Sequence, residues 1–110
     1  MKEQFAFGVL SLTILVWLGV GSVHAAKVGS NCTLKGKQLW GKVKIVDSFP
    51  DIKIQIVKSF PDLKVKKVTS HPDGCGEWKF VKSFPDIKVQ IVTSFPDIKV
   101  KYVTSFPGVP

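Results

Sequence analysis

The sequence predicts an all-β domain assembled from six copies of an 11-residue strand-and-corner unit, arranged as two halves of three. Three observations predict it. A Ser-Phe-Pro-Asp tetrapeptide recurs at a fixed spacing, apolar and polar residues alternate strictly between its copies, and the repeats show no 3.6-residue period.

The first 25 or so residues stand apart. Met1-Lys2 opens a short charged region, and an almost unbroken apolar run extends from Phe5 to Val20. Val23-His24-Ala25 then supplies the small-x-small pattern of a signal-peptidase site, with cleavage after Ala25 or Ala26. The rival reading is a retained membrane anchor. The apolar run is shorter than the roughly 20 residues a span needs, and no positive cluster follows it. Residues 1–25 are therefore read as a signal peptide for Sec export, to the periplasm or beyond. A lipid anchor is disfavoured, because Gly29-Ser30-Asn31 before Cys32 is a poor lipidation site. Residues 26–39 form an N-terminal segment, and residues 40–110 the repeat domain.

The corners define the repeat. Ser48-Phe49-Pro50-Asp51 returns as Ser59-Phe60-Pro61-Asp62 and as Ser70-His71-Pro72-Asp73, then as Ser83-Phe84-Pro85-Asp86, Ser94-Phe95-Pro96-Asp97 and Ser105-Phe106-Pro107-Gly108. The spacing is 11 residues except for 13 across Gly74-Cys75-Gly76. The halves are thus residues 40–73 and 77–108, joined at 74–76 and related by a shift of 35 residues. A unit this short cannot bury its apolar face alone, so the units must stack on one another.

Between corners, Ile52-Lys53-Ile54-Gln55-Ile56 and Ile87-Lys88-Val89-Gln90-Ile91 alternate as strands with one buried face. β-branched residues dominate them, as such strands prefer. The alternation slips where Val57 follows Ile56 and Val92 follows Ile91, which predicts a bend or bulge in every repeat. The proline is expected to end the strand and to hold the preceding Phe extended, with Ser and Asp closing the turn. The corner Phe residues, with Trp40, Trp78, Phe80 and Tyr102, are expected to supply the bulk of the core. A ring of stacked aromatics that binds sugars or bases is the competing reading.

The repeated Ser-Phe-Pro-Asp, in two sets of three around a Gly-rich break with Trp78-Lys79-Phe80-Val81, resembles the septoil-knot family of small bacterial proteins. The resemblance covers Trp40 to Gly108. It implies two halves wound about each other as a deeply knotted β structure, and it carries over no activity, substrate or site. His71 for Phe and Gly108 for Asp are departures from the unit. Periodicity alone fits a simple β-solenoid or a β-sandwich as well.

Two cysteines follow the signal segment, Cys32 and Cys75. In an oxidising compartment the default is one intramolecular disulfide, with free thiols or a link between chains as alternatives. Such a staple would stabilise so small a domain by about 4 kcal/mol in the chain-entropy model. A metal site is disfavoured, since His71 is the one histidine left to join the cysteines. Asp51, Asp62, Asp73, Asp86 and Asp97 are candidates for a calcium ladder, but one carboxylate per turn among lysines falls short of six to eight oxygens. The recurring serines lack an oriented base, because adjacency to His71 does not orient one for Ser70. No cofactor is expected, and the chain is read as a non-enzyme.

The net charge is +8, and every basic residue is lysine. Without arginine the surface lacks the bidentate donor that reads phosphates and guanine edges, so sequence-specific nucleic-acid binding is disfavoured. Lys42, Lys53, Lys64, Lys88 and Lys99 share one place in the repeat, and Lys44, Lys66, Lys79 and Lys101 another. Both places alternate with core positions, so stacking gathers them into solvent-facing stripes. The favoured reading is that these lysines keep β-prone segments such as Val89-Gln90-Ile91-Val92 from pairing between molecules. The alternative is an electrostatic surface for anionic glycolipid, acidic polysaccharide or membrane headgroups. A fibre subunit built on segments such as Ile54-Gln55-Ile56-Val57 is a third reading, which the corner prolines oppose. The leading expectation is an exported structural or interaction protein.

Overall fold

Interior-facing residues recur at every second position of every repeat, and the structure closes them into a ring. A computed structural model describes residues 27–110. The proposed signal peptide, residues 1–25, lies outside the described residues. Eight strands follow: β1 Thr33–Leu34, β2 Lys37–Gln38, β3 Gly41–Ile45, β4 Ile52–Ile56, β5 Leu63–Lys67, β6 Glu77–Phe80, β7 Ile87–Ile91 and β8 Ile98–Tyr102. The first two form a small antiparallel hairpin, and the other six form a closed parallel barrel in the order β3-β6-β5-β8-β4-β7.

The order settles how the halves combine. Each strand of the first half (β3, β4, β5) pairs on both sides with strands of the second (β6, β7, β8), and never with its own half. The halves are therefore fully interleaved, as the resemblance implied, and neither an open solenoid nor a sandwich describes them. The register moves by two residues at every step. Val43 sits opposite Ile87, Val89 opposite Ile52, Ile54 opposite Ile98 and Val100 opposite Leu63. Because the side-chain period is also two, this stagger keeps the same face inward all round the ring.

Two tiers fill the interior. Near the strand starts lie Ile52, Leu63, Ile87 and Ile98, and one step further lie Val43, Ile54, Val65, Trp78, Val89 and Val100, all essentially without solvent contact. At two places of the first tier the residue is glycine, Gly41 and Gly76, both at positive φ. A Cβ on Gly41 would stand 2.6 Å from Asp86 Oδ2, and one on Gly76 would collide with the Lys64 carbonyl. Trp78 and Leu39, both wholly buried, supply bulk there, and the Trp78 indole N–H donates to the Leu39 carbonyl at 3.0 Å.

The N-terminal segment joins this core through Val28, Cys32 and Leu39. Its hairpin turns at Lys35-Gly36, both at positive φ as a two-residue hairpin turn requires. Cys32 and Cys75 are bridged, with Cα atoms 5.8 Å apart, so the default reading of the cysteines holds.

Three expectations are corrected. The strands end at the slip, at Ile45, Ile56, Lys67, Phe80, Ile91 and Tyr102, well before the proline. The residue preceding each proline is left-handed rather than extended, with φ of 53–55° at Phe49, Phe60, His71, Phe84, Phe95 and Phe106. The corner phenylalanines are not core. They are 81–92% exposed. The barrel is already full of aliphatic side chains, and each corner passes outside a strand of the other half, where nothing lies above it. Of the other aromatics expected inside, Trp78 is buried, Trp40 and Tyr102 are partly buried, and Phe80 is exposed.

Candidate interaction surface

Four of the six corners carry the chain from one strand to the next of its own half, across the intervening strand of the other half; the third leads from β5 into the second half, and the sixth follows β8. The connection after β3 shows how. Val46 N–H donates to the Val89 carbonyl on one side of β7 (2.9 Å), and Asp51 N–H to the Lys88 carbonyl on the other (2.8 Å). The Asp51 carboxylate then accepts from the Lys88 N–H at 2.7 Å. Ser48, Phe49 and Pro50 form the top of an arch over the outer face of β7, and Gln90 Nε2 donates to the Asp47 carbonyl below it at 2.9 Å.

The same clasp recurs. Val57 and Asp62 hold β8 at Val100 and Lys99, Val81 and Asp86 hold β3 at Val43 and Lys42, and Val92 and Asp97 hold β4 at Ile54 and Lys53. At β5 the arch ends in Gly108, so only backbone bonds are made, from Val103 to Val65 and between Gly108 and Lys64. At β6 Val68 bonds to Trp78, while Asp73 turns away and its N–H donates to the Glu77 carboxylate. Four of the five corner aspartates are thus engaged with backbone amides. Among the described residues no group of three or more potential metal ligands assembles. The serines, exposed at every corner, take no part in these clasps.

The arches set the aromatics among the lysines. Each arch crosses a strand that carries outward lysines: Lys42 and Lys44 on β3 under the Phe84 arch, Lys88 on β7 under the Phe49 arch, Lys53 on β4 under the Phe95 arch, Lys99 and Lys101 on β8 under the Phe60 arch, Lys64 and Lys66 on β5 under the Phe106 arch, and Lys79 on β6 under the His71 arch. The nine lysines singled out from the sequence therefore encircle the barrel and alternate with six exposed rings. Lys42, Lys53, Lys88, Lys99 and Lys101 are exposed, while Lys44, Lys64, Lys66 and Lys79 are half-buried. Across the ladders Lys42 faces Lys79, Lys44 faces Lys88 and Lys64 faces Lys101. Like charges so placed are destabilising.

A second apolar feature lies at the strand ends. Ile45, Ile56, Phe80 and Ile91, 37–48% exposed, and the half-buried Tyr102 ring one mouth of the barrel. Lys67 takes the sixth place, with its ammonium 4.5 Å from the centre of the Tyr102 ring and 5.8 Å from that of Phe80. Burial raises the Tyr102 pKa above its ordinary value, so the hydroxyl keeps its proton. Beside it a pocket of about 350 Å³ is lined by Lys66, Lys67, Tyr102, Val103 and Thr104.

At the opposite end, the hairpin reaches the corner carboxylates. Lys35 Nζ lies 3.0 Å from Asp97 Oδ1, and Lys37 Nζ 4.0 Å from Asp51 Oδ1. Burial pushes the Asp97 pKa up, but the Lys53 amide and the Lys35 ammonium outweigh it and hold the carboxyl below its ordinary value.

A family model described as the 7(1) septoil knot domain matches residues 36–110. The chain belongs to the septoil knot family. No match was found among curated proteins. In this septoil knot domain, the exposed aromatic girdle is what sequence reasoning missed. One signal pointed to it: His71 occupies a phenylalanine slot, and a slot that accepts histidine is poorly explained as dry core. Lys67, standing where other repeats have Ile, Phe or Tyr, marks the open barrel mouth in the same way.

Proposed function

We propose that this septoil knot domain is an exported interaction protein that binds anionic envelope surfaces through the lysines and aromatic rings of its arches. The observation that carries the reading is five phenylalanines, 81–92% exposed, held at positive φ on arches that cross lysine-bearing strands. A left-handed conformation costs a residue with a Cβ about 1–2 kcal/mol, and Gly or Asn would fit it better. Bulky rings kept at such sites argue for contact with something outside the molecule.

The rival account of the lysines loses its main support. Keeping strands from pairing between molecules matters where a sheet has an open edge, and all six barrel strands have neighbours on both sides. The same closure removes the template on which a fibre would grow. Lysines facing lysines across a ladder are also costly for a purely protective device, whereas an anionic partner relieves that repulsion. The barrel does not itself span a bilayer: its strands are four or five residues, against about nine to eleven for a spanning strand, and its polar side faces outward.

The test is co-sedimentation of the oxidised chain, from residue 26 onward, with phosphatidylglycerol vesicles, phosphatidylcholine vesicles and lipopolysaccharide, from low to physiological salt. Binding selective for the anionic surfaces that persists at physiological salt supports the reading. Binding that disappears well below that salt refutes it.

A further inference from the structure

The girdle is not uniform, and its asymmetry selects one face. The arch carrying Phe60 crosses β8 and contributes Lys58, above Lys99 and Lys101. The neighbouring arch, carrying Phe106, crosses β5, with Lys64, Lys66 and Lys67. Six lysines therefore occupy two adjacent strands and their arches. The adjacent β4 and β7, by contrast, present Lys53 and Lys88 with Gln55 and Gln90 at the second outward place.

Two departures from the repeat fall on this same face. Gly108 replaces the aspartate that would end the Phe106 arch, which removes a carboxylate beside Lys64. Lys67 replaces an apolar residue at the barrel mouth, and the pocket formed by Lys66, Lys67, Tyr102, Val103 and Thr104 opens there. Val103 and Thr104 belong to the Phe106 arch itself. Among the described residues neither Lys66 nor Lys67 has a carboxylate within ion-pair distance. Lys67 instead rests against the Tyr102 ring, which holds the ammonium in place while leaving its charge uncompensated.

We infer that the β5–β8 face is a phosphate-headgroup site for anionic lipid: Lys66 and Lys67 hold the phosphate in the pocket, and Phe60 and Phe106 enter the lipid interface on either side. Charge complementarity names the occupant. A site with two cationic side chains and the hydroxyls of Tyr102 and Thr104 suits a tetrahedral anion, and the exposed rings suit the apolar layer beneath a headgroup. This rests on the reading of the arches as a contact surface and specifies where on it the contact is made.

The test compares two double variants of the oxidised protein. Lys66→Gln with Lys67→Ile removes both pocket charges and restores at 67 the residue type found at Ile45, Ile56 and Ile91. Lys53→Gln with Lys88→Gln removes the same charge from the β4–β7 face. Affinity for phosphatidylglycerol vesicles at physiological salt is expected to fall at least tenfold in the first and by a clearly smaller factor, about threefold, in the second, since Lys53 and Lys88 belong to the wider charged surface but not to the pocket. Equal losses overturn the face assignment and leave the broader surface reading standing. No binding by the unsubstituted protein overturns both. Titration with inorganic phosphate, followed by amide chemical shifts, separates the two sources of the anion. Saturable shifts at Lys66, Lys67 and Thr104 in a protein that ignores vesicles overturn the lipid assignment in favour of free phosphate.

Discussion

Replacing the corner phenylalanines distinguishes a core ring from a contact ring by the sign of its effect on stability. Phe49 is 88% exposed, so only about a tenth of its surface leaves solvent on folding. Full burial of a phenylalanine contributes about 1.5–3 kcal/mol, and the fraction realised here is therefore roughly 0.2–0.3 kcal/mol. Against it stands a left-handed backbone at φ 54°, which costs a bulky residue about 1–2 kcal/mol and which asparagine adopts more readily. Phe49→Asn is expected to raise stability by about 0.5–1 kcal/mol. The arches cross different strands, so their effects should add. Substituting Phe49, Phe60, Phe84, Phe95 and Phe106 together should give a gain of about 3 kcal/mol with loss of binding to anionic vesicles. The assay is guanidinium unfolding with the disulfide intact, approached from both the folded and the unfolded side until the curves superimpose. A loss of 2 kcal/mol or more from any single Phe→Asn change would show that the ring is packed and would refute the argument, since truncating a core phenylalanine costs about 3–5 kcal/mol.

Other consequences can be measured on the same protein. Asp86→Ala removes the carboxylate that accepts from the Lys42 amide and should cost about 1.5–2 kcal/mol, whereas Asp73→Ala, at the corner whose carboxylate holds no strand, should cost under about 0.5 kcal/mol; equal costs would mean the clasp bond is not what matters. Asp97 has a folded pKa below the ordinary 3.8, so its contribution is fully present above that value and is lost as the pH falls through the lower, folded one. Thermal melts between pH 2 and 6 should show Asp97→Asn flattening the acid limb while leaving other carboxylates to titrate. Replacing Cys32 and Cys75 by serine opens a link across 43 residues and should lower stability by about 4 kcal/mol in the chain-entropy model, read from the shift in denaturation midpoint.

Much of the barrel was legible in the residues because a period of two reports directly which side chains face inward. Alternation places Ile52, Ile54, Ile87 and Val89 on the buried face, and they line the interior, whereas Ile56 and Ile91, on the same face by alternation, lie at the open mouth and are 40% and 48% exposed. The slip at Ile56-Val57 likewise marked a real event, the end of the strand. Alternation does not name a strand's neighbour, and β4 reads the same whether it lies beside β3 or β7. Interleaving therefore had to come from the family resemblance. The aromatic corners misled for a physical reason. Hydrophobicity says that burying Phe49 would be favourable, but burial needs a layer above it, and the arch places it outside a sheet whose inner side is full. The hairpin at residues 33–38 is not legible in the sequence, because two-residue strands carry no periodicity and Lys35-Gly36 is not among the residue pairs that mark a hairpin turn.

The alternation of strands around the barrel also governs when folding can begin. No strand of the first half has a partner within that half, so residues 40–73 gain no ladder until the second half has been made and has wound between them. Every clasp likewise joins one half to the other. A nascent chain of this kind has no barrel ladder to form while only its first half is present. For a protein that crosses a membrane through a narrow channel, as the proposed export requires, such a delay keeps the polypeptide threadable during passage. It then locks on the far side, where the cysteines can be oxidised.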